Sequence, residues 1–136
     1  MSILDENNFH KFKNKVKKMI AEALTALESP ASVNVGDIFY MYFDDRDMRD
    51  LEFYKVIGVE KDGTATFQQI SKSPSGSTKN GIFYVPIPEK PTKIFPVKKN
   101  VHFDRFGNAF SRLTAYSTAY RWDERPVIEK KPARDL

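Results

Sequence analysis

From residue 8 to residue 28 the apolar positions recur every three or four residues. Phe9, Phe12, Val16, Met19, Ile20, Ala23, Leu24 and Leu27 fall on one stripe of a helix. The spacing predicts an amphipathic helix within residues 1–30, capped by Asn7 or Asn8 and ended by Ser29-Pro30, where proline cannot donate to the ladder. Three roles compete for it: packing on the rest of the chain, binding or dimerising with a partner, and lying on a membrane surface. After it the period changes from 3.6 to 2. Strands are predicted at Val35–Phe43, Glu52–Glu60, Thr64–Ser71, Ile82–Ile87 and Leu113–Trp122. Asp62-Gly63 is the strongest hairpin signal among them. Lys72 to Gly81, rich in Ser, Gly, Pro and Thr, reads as a flexible loop. Pro86, Pro88, Pro91 and Pro96 exclude a central strand and point to an extended edge connection. Residues 128–136 read as a charged, flexible tail.

Short strands joined by hairpin turns, with no helix between them, predict a mainly β domain over residues 34–127. Its expected form is a small antiparallel barrel preceded by one helix (α+β by element count). A barrel is expected because one helix cannot cover both faces of a flat sheet and because closure hides the edges.

Composition changes this picture in three ways. Eleven Phe, six Tyr and one Trp lie among Val, Ile and Thr, which suits strands that are at least half buried. Cysteine is absent, which removes thiolate chemistry and sulfur-ligated metal and favours a reducing, cytoplasmic setting. The charges are segregated: Lys11, Lys13, Lys15, Lys17 and Lys18 crowd the helix, and six lysines between Lys72 and Lys99 face only Glu89. Such a distribution steers an anionic partner or serves as solubilising charge. No run approaches the ~20 apolar residues of a membrane span, so no membrane partner is expected.

The chain offers little for catalysis. His10 and His102 are isolated from each other and from further ligands. Asp44, Asp45, Asp47 and Asp50 form the one carboxylate cluster, but without the glycine and distal Glu of a calcium loop it reads as a charged hairpin. Gly76 and Gly81 stand alone and make no phosphate-cradling loop. A non-enzymatic binder with no cofactor and no metal is therefore expected. Two partners compete. A protein partner would use an aromatic-lined groove drawn from Tyr40, Tyr42, Tyr54, Tyr116, Tyr120 and Trp122. Nucleic acid would use Lys72, Lys79, Lys98 and Lys99 on phosphates. Lysine rather than arginine in the basic runs favours the first.

The order Gly36-Asp37-Ile38-Phe39, Glu52-Phe53-Tyr54-Lys55-Val56, Val85-Pro86 and Ala119-Tyr120-Arg121-Trp122-Asp123-Glu124-Arg125-Pro126-Val127 resembles a group of small proteins carried by bacteriophages and mobile elements. That resemblance implies an SH3-like barrel in an accessory protein acting inside a bacterium, and it brings no settled activity. This chain departs from the group at Asp44-Asp45-Arg46-Asp47, where Gly-Tyr is usual, and in its N-terminal helix.

Overall fold

The computed structural model describes residues 32–44 and 46–131. The predicted N-terminal helix, Asp45 and the last five positions of the predicted tail lie outside the described residues. Within them the chain is mainly antiparallel β: β1 (Ile38–Asp44), β2 (Arg49–Val59), β3 (Thr64–Thr78), β4 (Gly81–Pro91), β5 (Val97–Asn100), β6 (His102–Phe103), β7 (Ala109–Arg112), β8 (Thr118–Arg121) and β9 (Val127–Lys130). The strands lie in the order β6-β7-β8-β1-β2-β3-β4-β9, with β5 also paired to β3.

Local chemistry sets the turns. Gly36 takes a φ of 99° in the turn that opens β1, where Asp37 N–H donates to the Asn34 carbonyl at 3.0 Å. Asp62-Gly63 makes the predicted hairpin, with Gly63 at φ 89° and the Asp62 carboxylate accepting from Thr64 N–H at 2.9 Å. Register shifts at Val56/Gly58, Ile70/Ser71 and Pro74/Gly76 bend the long strands. The sheet thereby curls into a half-barrel, and β9 meets the start of β2 where Lys130 N–H donates to the Met48 carbonyl at 2.9 Å.

Both faces of the central strands are buried. One face carries Phe39, Met41, Tyr54, Val56, Ala65 and Phe67, packed against Ala109, Leu113 and Ala119 from the β7–β8 limb. The rings of Phe39 and Phe67 meet edge to face at 5.1 Å. The other face carries Tyr42, Leu51, Phe53 and Ile70, with Ile38, Tyr40, Met48, Tyr84, Trp122 and Val127 against them. This explains the near-continuous apolar run of β1, since a strand buried on one side only would alternate.

Three expectations are corrected. Lys72–Gly81 is not a loop: β3 runs on to Thr78 and pairs with β4 up to the Thr78–Gly81 turn. This arm is exposed, so ladder hydrogen bonds hold it and its side chains stay polar. Pro74 is tolerated because it sits at a bulge. Pro86, Pro88 and Pro91 are tolerated because β9 pairs only Gly81 to Tyr84, which leaves them on a free edge. Leu113–Trp122 is not one strand, because Thr114 to Ser117 turn the chain between β7 and β8. Ile128, Glu129 and Lys130 are not tail, because β9 docks them on β4.

Candidate partner-binding surface

The strand registers align one lateral row across the curled sheet: His102, Phe110, Tyr120, Tyr40, Phe53 and Ile70. Burial is graded along it. Phe53 and Ile70 are buried, Tyr40 and Phe110 half-buried, and Tyr120 is 47% exposed. Tyr40 and Tyr120 rings lie 6.2 Å apart, and His102 lies 5.6 Å from Phe110. Trp122, two residues after Tyr120 on the same side, packs edge to face on Phe53 at 6.3 Å. Its indole N–H donates to the Arg125 carbonyl at 2.6 Å. The turn that presents this carbonyl has Glu124 at φ 71° and Asp123 accepting from Arg125 N–H at 3.0 Å.

Tyr40, Tyr120 and Trp122 line a shallow cleft of about 350 Å³, rimmed by Asp104, Asn108, Arg121 and Asp123. Burial, then the nearby Asp123 carboxylate, then Tyr120 push the Tyr40 phenol above its ordinary value, so it stays a neutral donor across the physiological range. Asp104 is committed to its own turn. It accepts from the N–H groups of Phe106 at 2.8 Å and Asn108 at 2.9 Å, and these bonds, that of Asn108 foremost, hold its carboxyl below the usual carboxylate range.

The other candidate aromatics are elsewhere. Tyr42 is buried, with its hydroxyl donating to the Ile128 carbonyl at 2.6 Å. Tyr54 is buried on the opposite face, donating to the Glu52 carboxylate at 2.6 Å. Tyr116 sits at the tip of the β7–β8 turn, 91% exposed. It lines a separate cleft of about 680 Å³ with Phe43, Asp44, Arg46 and Arg49. Sequence reasoning does not bring Phe110 and His102 into the row, because no predicted strand covers β7, on which Phe110 pairs with His102 on one side and Tyr120 on the other. The signal available was the alternation in Ala109-Phe110-Ser111-Arg112, where Ala109 and Ser111 are buried.

The four candidate lysines do not share one environment. Lys72 Nζ donates to the Glu129 carboxylate and to the Leu51 carbonyl, each at 2.8 Å, and lies 4.5 Å from the Tyr84 ring centre. Lys98 is paired with Glu60 at 2.9 Å. Lys79 stands at the tip of the β3–β4 hairpin and Lys99 on β5, both exposed. Among the described residues no three His, Asp or Glu side chains are grouped to hold a metal ion. No described helix is long and apolar enough to cross a membrane. Comparison with protein-family models, curated proteins and solved structures yields no match.

Proposed function

We propose that the chain is a non-enzymatic binding module that receives a protein partner on the surface of Tyr40, Tyr120 and Trp122. The observation that carries this reading is the graded row. Half-exposed aromatics stand on a fully buried Phe53, so a large amphipathic contact area is already rigid before binding. Tyr and Trp presented this way give contact at low entropic cost. The curled sheet, with β9 returning to β2, is compatible with an SH3-like barrel, and we assign the domain to that type. On the sequence resemblance, we further propose a phage or mobile-element accessory protein. It would act in the cytoplasm of a bacterial host by binding a host or phage protein, for example to inhibit a defence system.

Capture from nuclease-treated bacterial lysate, followed by binding measurements with Tyr120→Ala, tests this. A specific protein should be retained after nuclease. Loss of a central aromatic contact worth about 2 kcal/mol should then weaken it roughly 30-fold. Capture that disappears with nuclease, or is indifferent to Tyr120→Ala, overturns the proposal.

A further inference from the structure

From the end of β4 to the start of β5 the chain passes through Lys90-Pro91-Thr92-Lys93-Ile94-Phe95-Pro96, and the most exposed bulky side chains of that stretch are adjacent. Ile94 is 59% and Phe95 87% exposed. The loop is not loose. Thr92 N–H donates to the Gln69 carbonyl at 3.0 Å, and Gln68 Nε2 donates to the Ile94 carbonyl at 3.1 Å. Ile94 N–H donates to Thr92 Oγ1 at 3.3 Å, while Pro91 and Pro96 fix φ on either side. The backbone is thus anchored to β3 while two apolar side chains are held out in water. Lys90 and Lys93 flank them along the chain and Lys98 and Lys99 follow on β5, all exposed, against Glu89 and Glu60. The Lys98–Glu60 pair is itself at the surface, where such a pair contributes little.

We infer that this tip is a second contact site, distinct from the aromatic surface, which docks on an anionic lipid bilayer. Ile94 and Phe95 would insert at the headgroup boundary, with Lys90 and Lys93 beside them, and whichever of Lys98 and Lys99 faces the surface, drawn to the anionic headgroups. This is a surface contact and not a span, so the shortness of the apolar run does not oppose it. Two features favour lipid over single-stranded nucleic acid. Stacking on successive bases needs successive π faces, and the tip offers one aromatic beside an aliphatic residue. The charges are also lysine point charges, suited to a diffuse anionic surface.

The test is flotation of the full chain with vesicles of phosphatidylcholine alone and of phosphatidylcholine containing about 30 mol % phosphatidylglycerol, a strongly anionic surface. The protein should float with the anionic vesicles only. Ile94→Ser/Phe95→Ser should raise the lipid needed for half-binding about tenfold or more with little change in melting temperature, because both side chains are mostly exposed. Lys90→Gln/Lys93→Gln/Lys99→Gln should do likewise. Brominated acyl chains should quench the indole introduced by Phe95→Trp and spare that of Trp122. All variants keep Lys11 to Lys18, so a loss seen in them belongs to the tip. Equal flotation of the serine variant, equal binding to neutral vesicles, or lysine-dependent capture of a single-stranded oligonucleotide with no flotation would each overturn the inference. The Tyr120→Ala variant should float like the unaltered protein, which separates this site from the protein-binding surface.

Discussion

Removing the Glu129 carboxylate should open the seam where the curled sheet returns on itself. Glu129 Oε2 accepts from Leu51 N–H at 2.7 Å and from Lys72 Nζ at 2.8 Å. Lys72 also holds the Leu51 carbonyl, so one ion pair satisfies both backbone groups of a residue that β1 pairs on its side-chain row. Hydrogen bonds to charged groups contribute about 1.5–3 kcal/mol each, and the partial exposure of both side chains (30% and 25%) reduces that. Glu129→Ala breaks two such bonds and leaves the Lys72 ammonium against the Tyr84 ring without its counterion. The expected cost is about 2–4 kcal/mol. For a domain of this size that is a fall of roughly 10–20 °C in melting temperature. Glu129→Gln keeps an acceptor for Leu51 and should lose about half as much. Circular dichroism melts and urea titrations of Glu129→Ala, Lys72→Met and the double variant would give the coupling, expected at about 1–2 kcal/mol. A Glu129→Ala protein that melts within a degree or two of the unaltered one would refute the reasoning.

Two other perturbations probe the same region. Gly81→Ala places a Cβ against the backbone carbonyl of Glu129, so β9 must shift; the variant should melt lower and expose Lys130 N–H to faster hydrogen exchange, and an unchanged melt would count against the β4–β9 register. Alkaline titration should destabilise the fold between about pH 10 and 12, because burial first, then Tyr40 and Glu129, push Tyr42 from 10.0 up to about 12. The folded state thus holds a proton that the unfolded chain has released, so stability is full below pH 10 and falls as pH rises through that window. Tyr54 and Tyr40, whose phenols burial also pushes up, add loss of the same sign, so Tyr42→Phe should reduce the alkaline loss in part, and an unaltered alkaline limb would show that the Tyr42 phenol does not contribute.

Much of the central sheet was legible in the sequence. β1, β2 and the start of β3 follow from their runs of β-branched and aromatic residues and from Asp62-Gly63. The β3–β4 arm was hidden because exposed strands need no apolar face, so Ser73 to Thr78 carry the composition of a loop. The β7–β8 turn was hidden because Thr114 and Ser117 make it without Gly or Pro, through Thr114 Oγ1 accepting from Tyr116 N–H at 3.2 Å. β9 was hidden because its value lies in long-range partners: Glu129 reaches Leu51 and Lys72, which no local pattern encodes. Of the aromatic site, the residue types were legible, but their faces were not. A single extra turn before Tyr120 decides whether Tyr116 joins the row, and it sets Tyr116 apart at a hairpin tip.

The seam also bears on both candidate partners. Lys72 was a candidate phosphate contact, yet its ammonium is engaged by Glu129, by Leu51 and by the face of Tyr84. Neutralising it would disturb the fold before it disturbed any phosphate, so a weakened Lys72→Gln protein cannot by itself argue for nucleic acid. The aromatic surface is tied to the same seam by a short route. Tyr42 donates to Ile128 beside Glu129, and its ring meets Tyr40 edge to face at 6.1 Å. Tyr40 in turn supports Tyr120. The β4–β9 ladder and Glu129 together hold β9, and β9 in turn holds the Tyr42 phenol on which Tyr40 packs.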